Sequence, residues 1–213
     1  KFLEAEALLK KALLIREKKL GPGHPDTLKS LQSLARHYSI QARYSEAELL
    51  LQRAIIYLEK KTGFQNAISL SMTLTYLAEQ NYIQGKYTKA ESLSKRAIVL
   101  LEQNLGVFHP LLGNANRTLG HVYMAQRNYN AAELHLQKAS KIISETLGAK
   151  HHKFAGCLNS LGNLSFHQKK FPAAESYFQR TLKIVEDNPV RDDHFIAIVL
   201  SNLAEIKTAQ GKY

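Results

Sequence analysis

The sequence predicts an all-α protein, an α-solenoid of antiparallel helical hairpins, and three markers repeating in one phase predict it. The first is an aromatic residue followed three positions later by Ala-Glu, at Phe2, Tyr44, Tyr87, Tyr129 and Phe171, with Tyr213 on the next expected position. The intervals are 42, 43, 42, 42 and 42 residues. The second is a small residue preceded by Leu nine positions before each aromatic from Tyr44 onward: Leu34-Ala35, Leu77-Ala78, Leu119-Gly120, Leu161-Gly162 and Leu203-Ala204. The third is Leu-Gly at Leu20-Gly21, Leu105-Gly106 and Leu147-Gly148, with Thr62-Gly63 in the remaining slot.

Each period divides into two helices, A and B. Helix A carries apolar residues at helical spacing, as in Leu28, Leu31, Leu34, Ala35 and Tyr38. After a short polar turn, helix B is expected to open on capping boxes, Ser45-x-x-Glu48 and Thr88-x-x-Glu91, with Asn130-x-x-Glu133 a close variant and Pro172 suiting a first helical position. It is expected to close at the glycine of the third marker. Pro25 and Pro110 then suit the first turn of the next helix A. Small residues in helix A (Ala35, Gly120, Gly162) and early in helix B (Ala47, Ala132, Ala174) let paired backbones approach. A second small residue seven further on (Ala54, Ala97, Ala139, Thr181) makes room for the next repeat. The expected organisation is one array over residues 1–213. It comprises a helix B over 1–20, full hairpins at 24–62, 66–105, 109–147 and 151–187, and a helix A over 192–213, ten helices in all. The truncated repeats at both ends, and the absence of an initiator Met, suggest a piece of a longer protein.

This Leu-Ala/Gly, Tyr, Ala, Ala pattern resembles the tetratricopeptide repeat. The 42-residue period, together with Leu-Gly-x-x-His-Pro at Leu20 to Pro25 and Leu105 to Pro110, resembles the kinesin-light-chain-like branch. That branch's Leu-Asn-Asn-Leu-Ala in helix A is approached only by Leu158-Asn159-Ser160-Leu161-Gly162 and Leu200-Ser201-Asn202-Leu203-Ala204, so the resemblance is to the repeat class and not to the motor subunit. It implies a right-handed superhelix whose helix A positions line a concave groove, and a non-enzymatic scaffold or adaptor binding a peptide segment or partner domain.

Composition narrows the alternatives. With 45% hydrophobic and 22% charged residues the chain can bury a core. No apolar run approaches the roughly 20 residues of a membrane-spanning helix. Cys157 is the only cysteine, which rules out an intrachain disulfide and fits a reducing, cytoplasmic setting. The net charge of +11 raises nucleic acid as a partner. Yet no segment between markers carries more than +3, and many cations (Arg16, Lys18, Lys19, Lys60, Lys61) fall at helix C-termini, where the helix dipole favours them. Nucleic acid is therefore disfavoured. No nucleotide loop, His-Glu-x-x-His or nucleophile elbow is present, so no catalytic residue or cofactor is expected. His24, His109 and His151 share one slot of successive loops, which points to a structural role, and no metal site is expected. Most acidic residues are assigned to helix caps and outer faces.

Relative to the small residue of helix A, offsets −6, −3, +1 and +5 lie opposite the buried stripe. They give the candidate groove: Lys29, Gln32, Arg36 and Ile40; Met72, Thr75, Glu79 and Ile83; Asn114, Arg117, His121 and Ala125; Gly156, Asn159, Asn163 and His167; and Ile198, Ser201, Glu205 and Ala209. Asn159 and Asn163, one turn apart, can clamp a peptide backbone. Arg36 and Arg117 can grip carboxylates bidentately, and Met72 and Ile83 suit an apolar anchor. The expected partner is a protein or peptide with acidic residues near an apolar one. The alternative is a regulatory array contacting other domains of a longer chain in cis.

Overall fold

The structure is a computed structural model that describes residues 2–188 and 192–211; Tyr213, the last expected aromatic marker, lies outside the described residues. Among the described residues there are ten α-helices and no strand: α1 (Phe2–Leu20), α2 (Pro25–Ile40), α3 (Tyr44–Glu59), α4 (Phe64–Ile83), α5 (Tyr87–Leu105), α6 (Pro110–Ala125), α7 (Tyr129–Leu147), α8 (His152–His167), α9 (Phe171–Glu186) and α10 (Asp193–Ala209). The even-numbered helices are the A type and the odd-numbered ones the B type. The chain folds as two compact units, residues 1–104 and 105–213.

The small-residue positions are buried as the pattern requires. Ala35, Ala47, Ala54, Ala78, Ala90 and Ala97 in unit 1, and Ala132, Ala139, Ala174 and Thr181 in unit 2, have no exposed surface. In unit 1, Ala35, Ala47, Ala54 and Ala97 pack among Leu31, Leu51, Leu58 and Leu74. In unit 2, Ala139 packs among Ile143, Phe154 and Leu158, and Ala174 among Phe178, Val199 and Ile206. Each such Leu or Ile contributes roughly 1.5–3 kcal/mol by leaving water.

All five aromatic markers from Phe2 to Phe171 are first residues of a B helix. The capping boxes are a correction. Ser45, Thr88 and Asn130 lie inside their helices, and the N-cap positions are Arg43 for α3 and Asn128 for α7. The turn is built instead from the C-cap of helix A. Arg43 N–H donates to Tyr38 O (2.9 Å) and Ala42 N–H to Ser39 O (3.0 Å), with Ala42 in the left-handed region at φ 57°. The same pair of bonds recurs at Lys86/Gly85, Asn128/Arg127 and Lys170/Lys169. This is a left-handed helix C-cap whose last residue already serves as the N-cap of helix B; at α7 that residue, Asn128, also caps with its side chain, Oδ1 accepting the Ala131 N–H at 3.3 Å. Three of the four left-handed residues carry a Cβ, at a cost of about 1 kcal/mol each. Arg127→Gly and Lys169→Gly are therefore expected to raise stability, and Gly85→Ala to lower it, by up to about 1 kcal/mol. Urea midpoints of the three variants check the signs.

The glutamates of the Ala-Glu marker are a second correction. Glu6 and Glu48 are buried, not on caps or outer faces. Glu6 of α1 receives Arg43 from the next turn (Nη1–Oε2 2.7 Å), Lys10 at 2.7 Å and the Tyr38 hydroxyl at 3.2 Å. Glu48 of α3 receives Lys86 from the following turn (3.3 Å) and Lys89 of α5. Each carboxylate thus ties one repeat to the turn of the next, and burial is tolerated because it is paired and hydrogen-bonded. Lys10 and Arg43 hold the Glu6 carboxyl down at about 2. A depressed carboxylate stabilises the fold above its ordinary value of 4.5 and loses that contribution as pH falls toward 2. Denaturation midpoints should therefore drop between pH 4.5 and about 2, and Glu6→Gln should flatten that slope.

At the B-to-A junctions the histidine slot has a defined task. His24, His109 and His151 are N-caps in extended conformation, and their Nδ1 atoms accept the backbone N–H of Asp26 (3.2 Å), Leu111 (3.2 Å) and Lys153 (3.1 Å). The imidazole replaces the usual Ser or Asp oxygen at this position. Pro25 and Pro110 follow at the first helical position.

Candidate functional site

None of the described inner-face positions of the A helices is buried. In unit 1, Lys29, Arg36 and Ile40 of α2 and Met72 and Ile83 of α4 are exposed, while Gln32, Thr75 and Glu79 are half-buried. Ile40, Met72 and Ile83 retain 66%, 48% and 56% of their surface, so three apolar side chains stand exposed on the face that also carries Arg36. Lys29 Nζ lies 3.4 Å from Asp26 Oδ1 of its own helix, an exposed contact of little energetic weight. Two links join α2 to α4. Gln32 Nε2 donates to Thr73 Oγ1 at 2.7 Å, and the Tyr76 phenol is hydrogen-bonded to Ser39 and pushed up in pKa by burial.

Unit 2 repeats the arrangement with more polar side chains. Asn114, Arg117, His121 and Ala125 of α6 and Gly156, Asn159 and Asn163 of α8 are half-buried, and His167 is exposed. His121 Nε2 lies 2.7 Å from Ser160 Oγ of α8. The Ser160 hydroxyl donates to Gly156 O (2.9 Å), so its oxygen accepts and His121 carries its proton on Nε2. Desolvation, with Arg117 adding its charge, holds His121 at about 3, so it is neutral at physiological pH. Asn159 Oδ1 accepts from Asn202 Nδ2 of α10 at 3.1 Å. The amide proposed to clamp a peptide thus has its oxygen engaged and its NH2 group left to donate.

These cross-repeat bonds, spaced 41, 39 and 43 residues apart, pass unnoticed in a per-helix pattern. A search for polar pairs one period apart would find them. Arg117 makes no hydrogen bond or ion pair with a described residue, and it opens into a cavity of about 210 Å³ within unit 2 that the sequence pattern does not show. Among the described residues no group of three or more His, Cys, Asp and Glu side chains could hold a metal ion. None of the described helices is long and apolar enough to cross a membrane.

Solved structures share this fold. BtubC (BKLC) from P. vanneervenii superposes with a TM-score of 0.80 at 18% identity, covering 100% of this chain and 84% of that one. The nearly identical TPR-like repeats of a kinesin light chain candidate from Podosopora anserina give 0.69 at 23%, covering 86% of each chain. The apo form of RapI gives 0.71 at 16%, covering 99% of this chain and 54% of that one. No protein with a curated description matches the chain. The tetratricopeptide repeat family matches residues 1–59, 69–145 and 112–187. With hairpins built on small-residue contacts and matches over most of its length, the chain belongs to the tetratricopeptide repeat family.

Proposed function

We propose that the chain is a protein-interaction module whose A-helix faces bind a peptide segment carrying acidic residues beside an apolar anchor. The family's repeats generally serve protein interaction, and their fold is typically a non-catalytic scaffold. The observation that carries the finer reading is the exposure of Ile40, Met72 and Ile83 on the helix face that also presents Arg36, apolar where a merely solvated face favours charge. Arg36 makes no hydrogen bond or ion pair with a described residue and remains available to a carboxylate. In unit 2, Arg117, the Asn159 NH2 group and Asn163 supply polar donors. The dispersed charge argues against a nucleic-acid track, which needs a basic stripe with aromatic platforms.

The test is a panel of peptides combining Asp or Glu with Leu or Phe, measured by fluorescence anisotropy. Arg36→Glu together with Arg117→Glu is expected to weaken binding by at least about tenfold with helicity unchanged, since reversing a contact charge disfavours the complex. Lys95→Glu, at an exposed residue of α5 that ion-pairs with Glu91 of its own helix at 2.7 Å, should change little. Binding lost on the Lys95 reversal and retained with the inner face reversed would place the site on the B helices.

A further inference from the structure

The cavity beside Arg117 has a charge balance that the fold does not account for. Arg117 reaches it from α6, Lys153 and His152 from the first turn of α8, and the Asn114 amide from one turn before Arg117. Arg117 and Lys153 are both half-buried, and neither side chain makes a hydrogen bond or ion pair with a described residue. Lys153 and His152 also sit at the positive end of α8, where cations are disfavoured. No acidic residue occupies that first turn, whereas α2 has Asp26 there. The crowding is felt by neighbours: His152 and Lys153 add to the desolvation that lowers His151, and Arg117 helps to lower His121. The rim carboxylate, Asp192, caps α10 by accepting the Phe195 N–H at 3.0 Å, and its single charge offsets only one of the two cations. Val185 and Phe195 form an apolar wall, and a Cβ built on Gly156 would meet nothing within 4 Å. Unpaired, partly desolvated cations converging on an open cavity make a site for an anion.

We propose that this cavity is an oxyanion subsite that holds the phosphate of a phosphorylated side chain in a bound peptide. The proposal rests on the reading of the A-helix faces as peptide-binding. Donor number favours phosphate over carboxylate. With Asp192 offsetting one cation, it is the donors that decide: the Arg117 fork, the Lys153 ammonium and the Asn114 amide together exceed what the two oxygens of one carboxylate accept. A phosphomonoester brings about −1.5 to −2 charges and three strong acceptor oxygens. Arg117 supplies the planar fork that grips two of those oxygens and Lys153 a point charge for the third. The side chain carrying the phosphate lies against Val185 and Phe195.

The experiment uses the full chain and three blocked pentapeptides identical except for a central phosphoserine, glutamate or serine, followed by amide chemical shifts. The phosphoserine peptide is expected to move the Lys153 and Gly156 amides saturably and to bind about tenfold or more tighter than the glutamate peptide. The serine peptide should leave those amides unmoved. Lys153→Ala and Arg117→Ala should each weaken phosphoserine binding about tenfold or more, with circular dichroism unchanged. Equal affinity for glutamate and phosphoserine would overturn the assignment to phosphate, as would shifts that survive Lys153→Ala. A single-stranded oligonucleotide moving the same amides with higher affinity would assign the cavity to nucleic acid instead. Lys153 lies outside the face tested with the acidic peptides. If Lys153→Ala leaves every peptide unaffected while the Arg36/Arg117 reversal still weakens the acidic ones, only the subsite falls. If acidic peptides bind nowhere and phosphoserine still needs Lys153, the groove reading falls and the subsite stands.

Discussion

Gly162→Leu is expected to destabilise the protein by about 1–3 kcal/mol, toward the upper end of what overpacking costs. A Cβ at Gly162 would lie 2.5 Å from Phe178 Cε1 and 2.8 Å from Cδ1. The ring cannot swing aside, because Phe178 is itself 1% exposed and wedged among Val199, Ile206 and Ala174. A leucine in an exposed helix would gain about 0.8–1 kcal/mol over glycine from propensity alone, so a loss of stability isolates the packing cost. Even Gly162→Ala meets the ring. Combining it with Phe178→Leu should cost less than the two changes summed, the mark of a shared contact. A denaturation midpoint unchanged in Gly162→Leu would mean that α8 and α9 meet elsewhere.

Phe178→Ala is the larger loss, about 3–5 kcal/mol. The ring fills the gap over Gly162 on one side and supports α10 through Val199 and Ile206 on the other. In a stack where each element rests on its neighbours, removing this wedge should release the terminal element first. Amide exchange is the measurement that checks it. The α10 amides should lose protection before those of α6 and α7, and simultaneous loss throughout unit 2 would show that α10 is not separately held.

Much of this packing was legible in the sequence, because close backbone approach leaves few choices of residue. Ala, Gly or Thr at a fixed phase is a strong constraint, and Gly120 and Gly162 mid-helix mark it against their own helix propensity. The start of helix B was misplaced by one or two residues for a definite reason. Its turn depends on a left-handed residue that a glycine would advertise, yet Ala42, Arg127 and Lys169 occupy that position with a side chain. The Ala-Glu marker was ambiguous in the same way. A capping glutamate and a buried inter-repeat carboxylate appear at the same phase, and only a cation 37 or 38 residues later, Arg43 or Lys86, separates them. On the candidate face, helical phase correctly kept every residue out of the core. It could not show that the Gln32, His121 and Asn159 side chains hydrogen-bond across to the next A helix, because those partners are a whole period away. The cavity beside Arg117 draws on four helices and was invisible for that reason.

The chain's one sulfhydryl has a practical side. Cys157 is buried at 1% exposure, and burial pushes its thiol up to about 11, so almost no thiolate exists at neutral pH and little of the sulfur can be reached. It is in effect a silent background for chemistry aimed at thiols. A cysteine introduced at an exposed position such as Ile40 or Ile83 would be the single fast-reacting nucleophile of its kind in the native protein. Dyes or spin labels could then be attached singly to the native background, and the surroundings of the label followed as a peptide is added.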